Sequence, residues 1–221
     1  MRAHFATQAD KNPFLWAWGR GPVGRQTGGM RVVAGTAGGR RLTAPAGNGT
    51  RPTTDRVREA VFNSLGSIGA VAGARTLDGF AGSGALGIEA LSRGAETCTF
   101  VERDRSARVV VEANLAATGL DADDRARVIG GDVHEHLART SERFDLVLLD
   151  PPHAAADWER LLALVADRLA PDGVVVVESD RPVVAPDDPT WAVGREKRYG
   201  GTVVQMLSHS PAPDTEDGRP R

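Results

Sequence analysis

The chain of 221 residues has very little cysteine and no long apolar run. Its single cysteine, Cys98, excludes an internal disulfide framework and a cysteine-based zinc site. The histidines do not show the spacing of metal ligands, so we expect no bound metal. No apolar run approaches the ~20 residues of a membrane span, and Phe14–Trp18 is too short for a signal-peptide core. These absences predict a cytoplasmic protein that does not contact a membrane.

The overall charge is small, but its distribution is uneven. The formal net charge of -2 at pH 7 excludes a polycation. Between residues 31 and 58, however, basic side chains outnumber acidic ones, and they are Arg31, Arg40, Arg41, Arg51, Arg56 and Arg58. A basic segment on a nearly neutral chain indicates an anionic partner that binds at one place.

The order of apolar segments predicts an α/β fold. Continuous apolar strands alternate with helices, which is typical of a parallel sheet covered on both faces. We predict strands at 75–78, 97–102, 127–129, 144–150 and 174–178, and helices at 85–92, 104–118, 133–139 and 157–169. Strands 191–199 and 202–207 then follow as an antiparallel hairpin. This is the architecture of Rossmann-like class I methyltransferases, with a mostly parallel seven-stranded sheet.

The N-terminal part shows different patterns. Met30–Leu42 surrounds a glycine-rich turn and predicts a small β-hairpin that carries arginines. Thr53 or Thr54 is placed to cap a helix that runs to about Leu65. We therefore divide the chain into a disordered extension at 1–29, a hairpin and helix at 30–66, a sheet domain at 67–209 and a disordered tail at 210–221.

A glycine-rich loop, Asp78–Gly84, follows the first strand of the sheet domain. Glycine there lets the backbone approach a ligand closely, and residues 82–87 also match the G-x-G-x-x-G pattern of dinucleotide sites. Asp78 at the strand end would repel a pyrophosphate but suits the ammonium group of S-adenosylmethionine. Glu102 ends the next strand and is placed to bond ribose hydroxyls, which fits either cofactor. Asp132 could accept from the adenine amino group, with Val133 packing near the ring.

The segment Asp150-Pro151-Pro152-His153 follows the apolar strand 144–149. Proline fixes φ, lacks an N–H group and holds the preceding residue extended, so the segment is stiff. It presents a carboxylate and a backbone carbonyl side by side, and both are hydrogen-bond acceptors. Such a pair can take the two N–H bonds of an exocyclic amino group on a nucleobase.

Taken together, these motifs resemble a known family. The loop 78–84, the Val101–Asp104 segment and the 150–153 tetrapeptide are similar to amino-group methyltransferases of nucleic acids. The block R-P-T-T-D-R-V-R-E at 51–59 and the segment 30–42 more specifically resemble bacterial 16S ribosomal RNA guanine-N2 methyltransferases. The resemblance covers about residues 30–207 and implies S-adenosylmethionine as cofactor and 16S ribosomal RNA, or an assembling 30S subunit, as partner.

The resemblance also implies roles for individual residues. The catalytic segment is Asp150, Pro151, Pro152 and His153, where His153 replaces the Tyr or Phe common at that position. The cofactor pocket is formed by Asp78, Gly79, Phe80, Ala81, Gly82, Gly84, Glu102, Arg103, Asp132, Val133 and Asp150. The RNA contacts are Arg31, Arg40, Arg41, Arg51, Thr53, Arg56 and Arg58.

Other functions remain open from the sequence. The same tetrapeptide occurs in enzymes that methylate amino groups of transfer RNA or DNA, although no large target-recognition insert is visible here. A non-catalytic RNA-binding protein is disfavoured by the intact Asp150 and prolines, and a nicotinamide oxidoreductase is disfavoured by Asp78. Nothing in the sequence indicates more than a monomer.

Overall fold

A computed structural model describes residues 29–45, 54–122, 124–152 and 157–209. The predictions made for Arg51, Thr53 and His153, and for the extension at 1–28 and the tail at 210–221, lie outside the described residues. Within the described part of the chain, no helix is both long and apolar enough to cross a membrane.

One seven-stranded sheet organises the described residues. Its strands are β1 (Arg75–Asp78), β2 (Thr97–Glu102), β3 (Ala126–Gly130), β4 (Phe144–Leu149), β5 (Leu169–Ser179), β6 (Trp191–Tyr199) and β7 (Thr202–His209). They lie in the order β3-β2-β1-β4-β5-β7-β6. The first five strands pair in parallel, whereas β7 is antiparallel to both β5 and β6. The mostly parallel seven-stranded sheet and its C-terminal antiparallel hairpin are therefore confirmed, whereas the order of the strands comes from the structure.

In the described ranges, five helices cover the two faces of the sheet. They are α1 (Asp55–Ser67), α2 (Ala85–Ser92), α3 (Arg105–Thr118), α4 (Val133–Arg139) and α5 (Trp158–Ala166). Side chains alternate along β4, so Leu146 and Leu148 pack against α1 and α2, while Val147 and Leu149 pack against α4 and α5. Helix α3 joins α2 in a third apolar cluster with Phe100 of β2. Both faces of the central strands are therefore buried, which explains their continuous apolar sequence.

Caps set the beginnings of the helices. The side chains of Thr54, Asp104 and Asp132 accept hydrogen bonds from backbone N–H groups at the starts of α1, α3 and α4. These bonds satisfy donors that the first helical turn leaves unpaired. Of the two predicted caps for α1, Thr54 is the one that the structure shows.

Three predicted elements differ in the structure. Helix α5 ends at Ala166, earlier than predicted, and β5 begins already at Leu169, although the predicted strand begins at 174. The predicted N-terminal hairpin has only one isolated bridge, between Arg31 and Arg41. Its backbone groups bond α2 instead of extending a ladder.

The hairpin segment is held on α2 by buried polar side chains. The carboxylate of Glu89 accepts from the backbone N–H groups of Val33 and Ala34 at 2.7 and 3.0 Å. The hydroxyl of Ser92 accepts from Ala37 and donates to the carbonyl of Ala34. The chain passes so close to α2 that a side chain on residue 35 would collide with the Ser92 carbonyl, which explains Gly35. Segment and sheet therefore share one packed interior.

Candidate active site

A pocket lies at the carboxyl edge of the sheet, where the loops after β1, β2, β3 and β4 meet. Its lining residues are Gly79, Phe80, Gly82, Val101, Glu102, Arg103, Gly131, Asp132, Val133, His134, Asp150, Pro151 and Pro152. Ligands of open α/β sheets bind at this edge. The pocket combines three carboxylates with the apolar surfaces of Phe80, Val133 and the prolines.

The glycine-rich loop is shaped by two left-handed glycines and one side chain. Gly82 and Gly84 have φ values of 53° and 77°, a region that other residues rarely adopt. The N–H group of Gly82 donates to the Glu102 carboxylate at 2.9 Å, which ties the loop to the end of β2. The loop therefore presents backbone to the pocket at Gly79 and Gly82 and one large side chain at Phe80.

The third glycine of the pattern has a packing role. A Cβ atom on Gly87 would lie 2.3 Å from Cε1 of Phe100 and 2.6 Å from Sγ of Cys98. Helix α2 consequently lies as close to β2 as a backbone without side chain allows. The N–H group of Gly87 also donates to the carboxylate of Asp78 at 2.9 Å. The close approach thus positions the start of α2 against the end of β1.

Asp78 is buried beside the pocket rather than in its lining. Only 1% of its surface is exposed. Burial raises its pKa to about 7, the bond from Gly87 opposes that rise, and the negative charges of Asp150 and Glu102 add to it. The burial of Asp78 thus favours its neutral form up to about neutral pH. Its contact with a ligand ammonium group stays a prediction.

Glu102 and Asp132 both line the pocket and both support the backbone around it. Glu102 accepts from Gly82 and from the N–H group of Asp104 at 2.8 Å. Asp132 accepts from the backbone and the ring Nδ1 of His134 at 2.8 and 3.0 Å. A carboxylate has about four acceptor positions, so each group keeps capacity for a ligand hydroxyl or amine.

Asp150, Pro151 and Pro152 follow β4 directly and line the same pocket as the glycine loop. The position is fixed because β4 is paired on both sides, by β1 and by β5. A rigid pair of acceptors therefore stands at the end of a central strand, next to the carboxylates of Glu102 and Asp132. In the described residues, the glycine loop and the Asp150-Pro151-Pro152 segment therefore line one pocket. The chemical roles of these residues stay predictions.

Sequence reasoning and structure differ on the pocket lining in a few positions. Ala81 and Gly84, predicted to bind cofactor, are outside the lining, because Ala81 is buried and Gly84 packs against Val111 and Ile88. Val101, Gly131 and His134 line the pocket and were not predicted. Gly131 and His134 lie within two residues of Asp132 in the sequence. Their closeness to this predicted cofactor contact could have indicated that they line the pocket.

The comparisons with known proteins cover nearly all of the described chain. The family model described as conserved hypothetical protein 95 matches residues 30–208. The chain belongs to this family. It is 40% identical over 183 residues to ribosomal RNA small subunit methyltransferase D of Escherichia coli strain K12, covering 81% of this chain and 90% of that protein. The protein of the same name from Haemophilus influenzae is 36% identical over 179 residues, covering 78% and 90%.

A solved structure supports the same conclusion. The Escherichia coli protein yhhF is 37% identical, with a TM-score of 0.71 over 84% of this chain and all of that chain. The resemblance read from the sequence and the class I methyltransferase fold are therefore confirmed.

One of the predicted RNA contacts is wrong in this family member. Arg58 is fully buried, so it cannot reach a phosphate. Its guanidinium pairs with Asp55 at 2.8 Å and with Glu89 at 3.7 Å, and it also donates to the carbonyl of Arg31. The reason is helical periodicity, since residue 58 lies on the same face of α1 as the buried Val61 and Leu65.

The other described arginines of the basic segment are exposed: Arg31, Arg40, Arg41 and Arg56. They do not form one patch. Arg40 bonds the carbonyl of Ala117 near the end of α3, whereas Arg31 pairs with Asp55 at the start of α1. Of these four arginines, Arg56 lies in α1 and Arg31 contacts the first residue of α1.

Proposed function

We propose that this protein is an enzyme that transfers a methyl group from S-adenosylmethionine to the exocyclic N2 amine of one guanine in 16S ribosomal RNA. One observation carries the proposal: the rigid Asp150-Pro151-Pro152 segment lines the same pocket as the glycine loop and the acids of β2 and β3. The names of the curated relatives, ribosomal RNA small subunit methyltransferase D, support ribosomal RNA as the substrate. We further propose that it acts as a monomer in the cytoplasm.

The residues of the pocket fit the proposed cofactor. Glu102 would accept from ribose hydroxyls, and Asp132 from the adenine amine, with Val133 against the ring. Phe80 and Gly82 leave an open, partly apolar path along the loop. The carboxyl group of Asp78, with its pKa raised to about 7, would become ionised when a positive ammonium group lies beside it. The cofactor supplies a methyl group made electrophilic by a positively charged sulfur.

The described acceptors would prepare the target amine. The lone pair of a guanine amine is delocalised into the ring, so the amine is a weak nucleophile. The Asp150 carboxylate and the Pro151 carbonyl would accept its two N–H bonds and favour a pyramidal nitrogen whose lone pair faces the methyl group. Transfer of the methyl group from the cofactor sulfur to the amine would leave an extra proton on nitrogen, which Asp150 or solvent would accept.

Positioning supplies most of the acceleration in such a site. Holding two reactants in line can lower the barrier by about 7–11 kcal/mol, and oriented acceptors add electrostatic stabilisation without reorganisation. A covalent route through cysteine is disfavoured, because Cys98 is buried and its burial raises the thiol pKa well above the usual value. The target base must be unpaired or flipped out of a helix to enter the pocket.

The test is transfer of labelled methyl groups from S-adenosylmethionine to unmodified 16S ribosomal RNA and to 30S subunits, followed by nucleoside analysis. We expect label in N2-methylguanosine with wild-type protein and loss of label with Asp150→Ala. The exposed Asp172→Asn is the matched control and should retain activity. Cofactor binding without transfer to either substrate would contradict the ribosomal assignment, and transfer RNA and DNA would then be tested in the same assay.

A further inference from the structure

Three cations from two distant parts of the chain come together at the edge of the sheet. Arg56 lies at the start of α1, and Arg195 and Lys197 lie on β6. Arg195 donates to the hydroxyl of Ser64 at 3.2 Å, which fixes β6 against α1. The ammonium of Lys197 lies 5.2 Å from the ring centre of Tyr199. We call Arg56, Arg195, Lys197 and Tyr199 the α1/β6 surface.

The charges of this surface act on one another. Partial burial lowers the pKa of Lys197, and the positive charges of Arg195 and Arg56 lower it further. Burial also raises the pKa of Tyr199 to about 12, so its hydroxyl stays protonated at physiological pH. The three positive charges together would attract an anion that approaches this surface.

Acidic groups also lie on the elements around this surface, and Glu59 follows Arg56 by one turn of α1. Glu178 of β5 is buried and acts on Tyr199. Glu196 alternates to the other face of β6 and accepts from Gln205 at 3.0 Å. Asp55 at the start of α1 already pairs with Arg31 and Arg58. The balance of charge on the α1/β6 surface is therefore positive.

The surface lies at the same edge of the sheet as the catalytic segment. In the sheet, Tyr199 pairs with Thr202, Val203 pairs with Ser179, and Leu149 pairs with Val177. The end of β6 thus stands beside the carboxyl ends of β4 and β5. Three strand spacings separate β6 from β4, a distance of about 14 Å. Stacked nucleotides advance ~3.4 Å each along a strand, so about four of them span this distance.

We propose that the α1/β6 surface binds backbone phosphates of the substrate RNA within a few nucleotides of the base held at Asp150. This inference rests on the proposed function, because it assigns a second contact region to the same substrate. The three cations supply the affinity for the phosphates. Arg56 was already among the RNA contacts predicted from the sequence, and the surface adds Arg195 and Lys197 of β6 to it.

The test is binding of unmodified 16S ribosomal RNA to protein saturated with S-adenosylhomocysteine, measured at several salt concentrations. Each phosphate contact to single-stranded nucleic acid contributes ~0.7 to the slope of log affinity against log salt, or about fourfold in affinity near ~0.15 M salt. Lys197→Gln should therefore weaken binding about fourfold, and Arg56→Gln/Lys197→Gln about 15-fold, with a matching loss of slope. Lys197→Arg should restore the slope.

The matched control is Arg198→Gln, which removes the same charge from the next residue of β6 but on the opposite face. It should change neither slope nor affinity appreciably. In turnover, Lys197→Gln should raise KM for RNA and leave kcat and cofactor affinity unchanged. The surface assignment alone would be overturned if the protein methylates RNA but its slope of log affinity against log salt is the same for wild type, Lys197→Gln and Arg198→Gln. A wild-type protein that does not bind this RNA would overturn both the surface and the proposed substrate.

Discussion

Gly87 offers a quantitative test of the packing that positions the glycine loop. Alanine is the better helix former, and replacing a glycine inside a helix stabilises it by ~0.5–1 kcal/mol when space is open. At residue 87, however, the new Cβ would lie 2.3 Å from Phe100 and 2.6 Å from Cys98. Both side chains are buried and cannot move into solvent. Overpacking of this kind costs ~1–3 kcal/mol or more, so Gly87→Ala should lower the free energy of unfolding by about 2 kcal/mol.

Gly66 is the matched control, because it lies in α1 and a Cβ there would meet nothing within 4 Å. Gly66→Ala should raise the free energy of unfolding by ~0.5–1 kcal/mol. Urea unfolding followed by circular dichroism measures both values. In thermal unfolding, a protein of this size shifts by ~2–4 °C per kcal/mol, so the two variants should move the melting temperature in opposite directions.

A double variant identifies the clashing atom. Gly87→Ala/Phe100→Leu removes the ring carbon that the new Cβ would meet, so its loss of stability should be smaller than the sum of the single losses. If Gly87→Ala has the same free energy of unfolding as Gly66→Ala, the close packing of α2 on β2 is refuted. Strict additivity in the double variant would show that the ring of Phe100 is not what opposes the added methyl group.

Three further predictions concern the buried polar groups Asp78, Glu89 and Asn114. The folded pKa of Asp78, about 7, lies above its unfolded value of 3.8, so its stabilising contribution is full below the unfolded value and is lost as pH rises through 7. The free energy of unfolding of Asp78→Asn, measured in urea, should therefore rise relative to that of wild type by about 3 kcal/mol between about pH 5 and about pH 8. A difference between the two proteins that does not change with pH would contradict the raised pKa. Glu89→Gln removes the buried carboxylate that pairs with both Arg58 and Arg93, while Asp55 still pairs with Arg58, and should cost up to ~3–5 kcal/mol of unfolding free energy. Glu135→Gln, at an exposed pair with Arg139, should cost at most ~0.5 kcal/mol. Asn114→Ala breaks bonds to both Thr43 and the Ser83 carbonyl and should weaken cofactor binding in calorimetry, and unchanged affinity would show that the glycine loop holds its shape without Asn114.

The sheet and most of its helices follow from local sequence. Apolar runs, capping side chains and turn residues act over a few neighbours, so Ala85–Ser92 and Thr97–Glu102 could be predicted to the residue. The strand-end positions of Glu102 and Asp150 are local features too, and parallel pairing necessarily brings such ends to one edge. The candidate site could therefore be assembled from the sequence before its geometry was known.

Contacts between distant segments could not be predicted in this way. Nothing near Arg58 in the sequence shows that Glu89 will compensate its charge, and an arginine in a basic segment normally predicts an exposed contact. The hairpin segment likewise shows its turn in the sequence, but not that its backbone donors bond Glu89 and Ser92. Polar partners of this kind are chosen by packing, because a buried donor or charge must be satisfied by whatever group lies next to it.

The sequence by itself determined the α/β class, the order of elements and the row of acidic residues that defines the pocket, because periodicity, caps and strand ends are properties of neighbouring residues. Tertiary structure alone decided which cations are buried and which share a surface. The antiparallel insertion of β7 between β5 and β6 carries Lys197 to the edge of the sheet beside Arg56. Charges so far apart along the chain interact only after folding, since electrostatic interaction depends on distance in space and on burial, neither of which local sequence specifies.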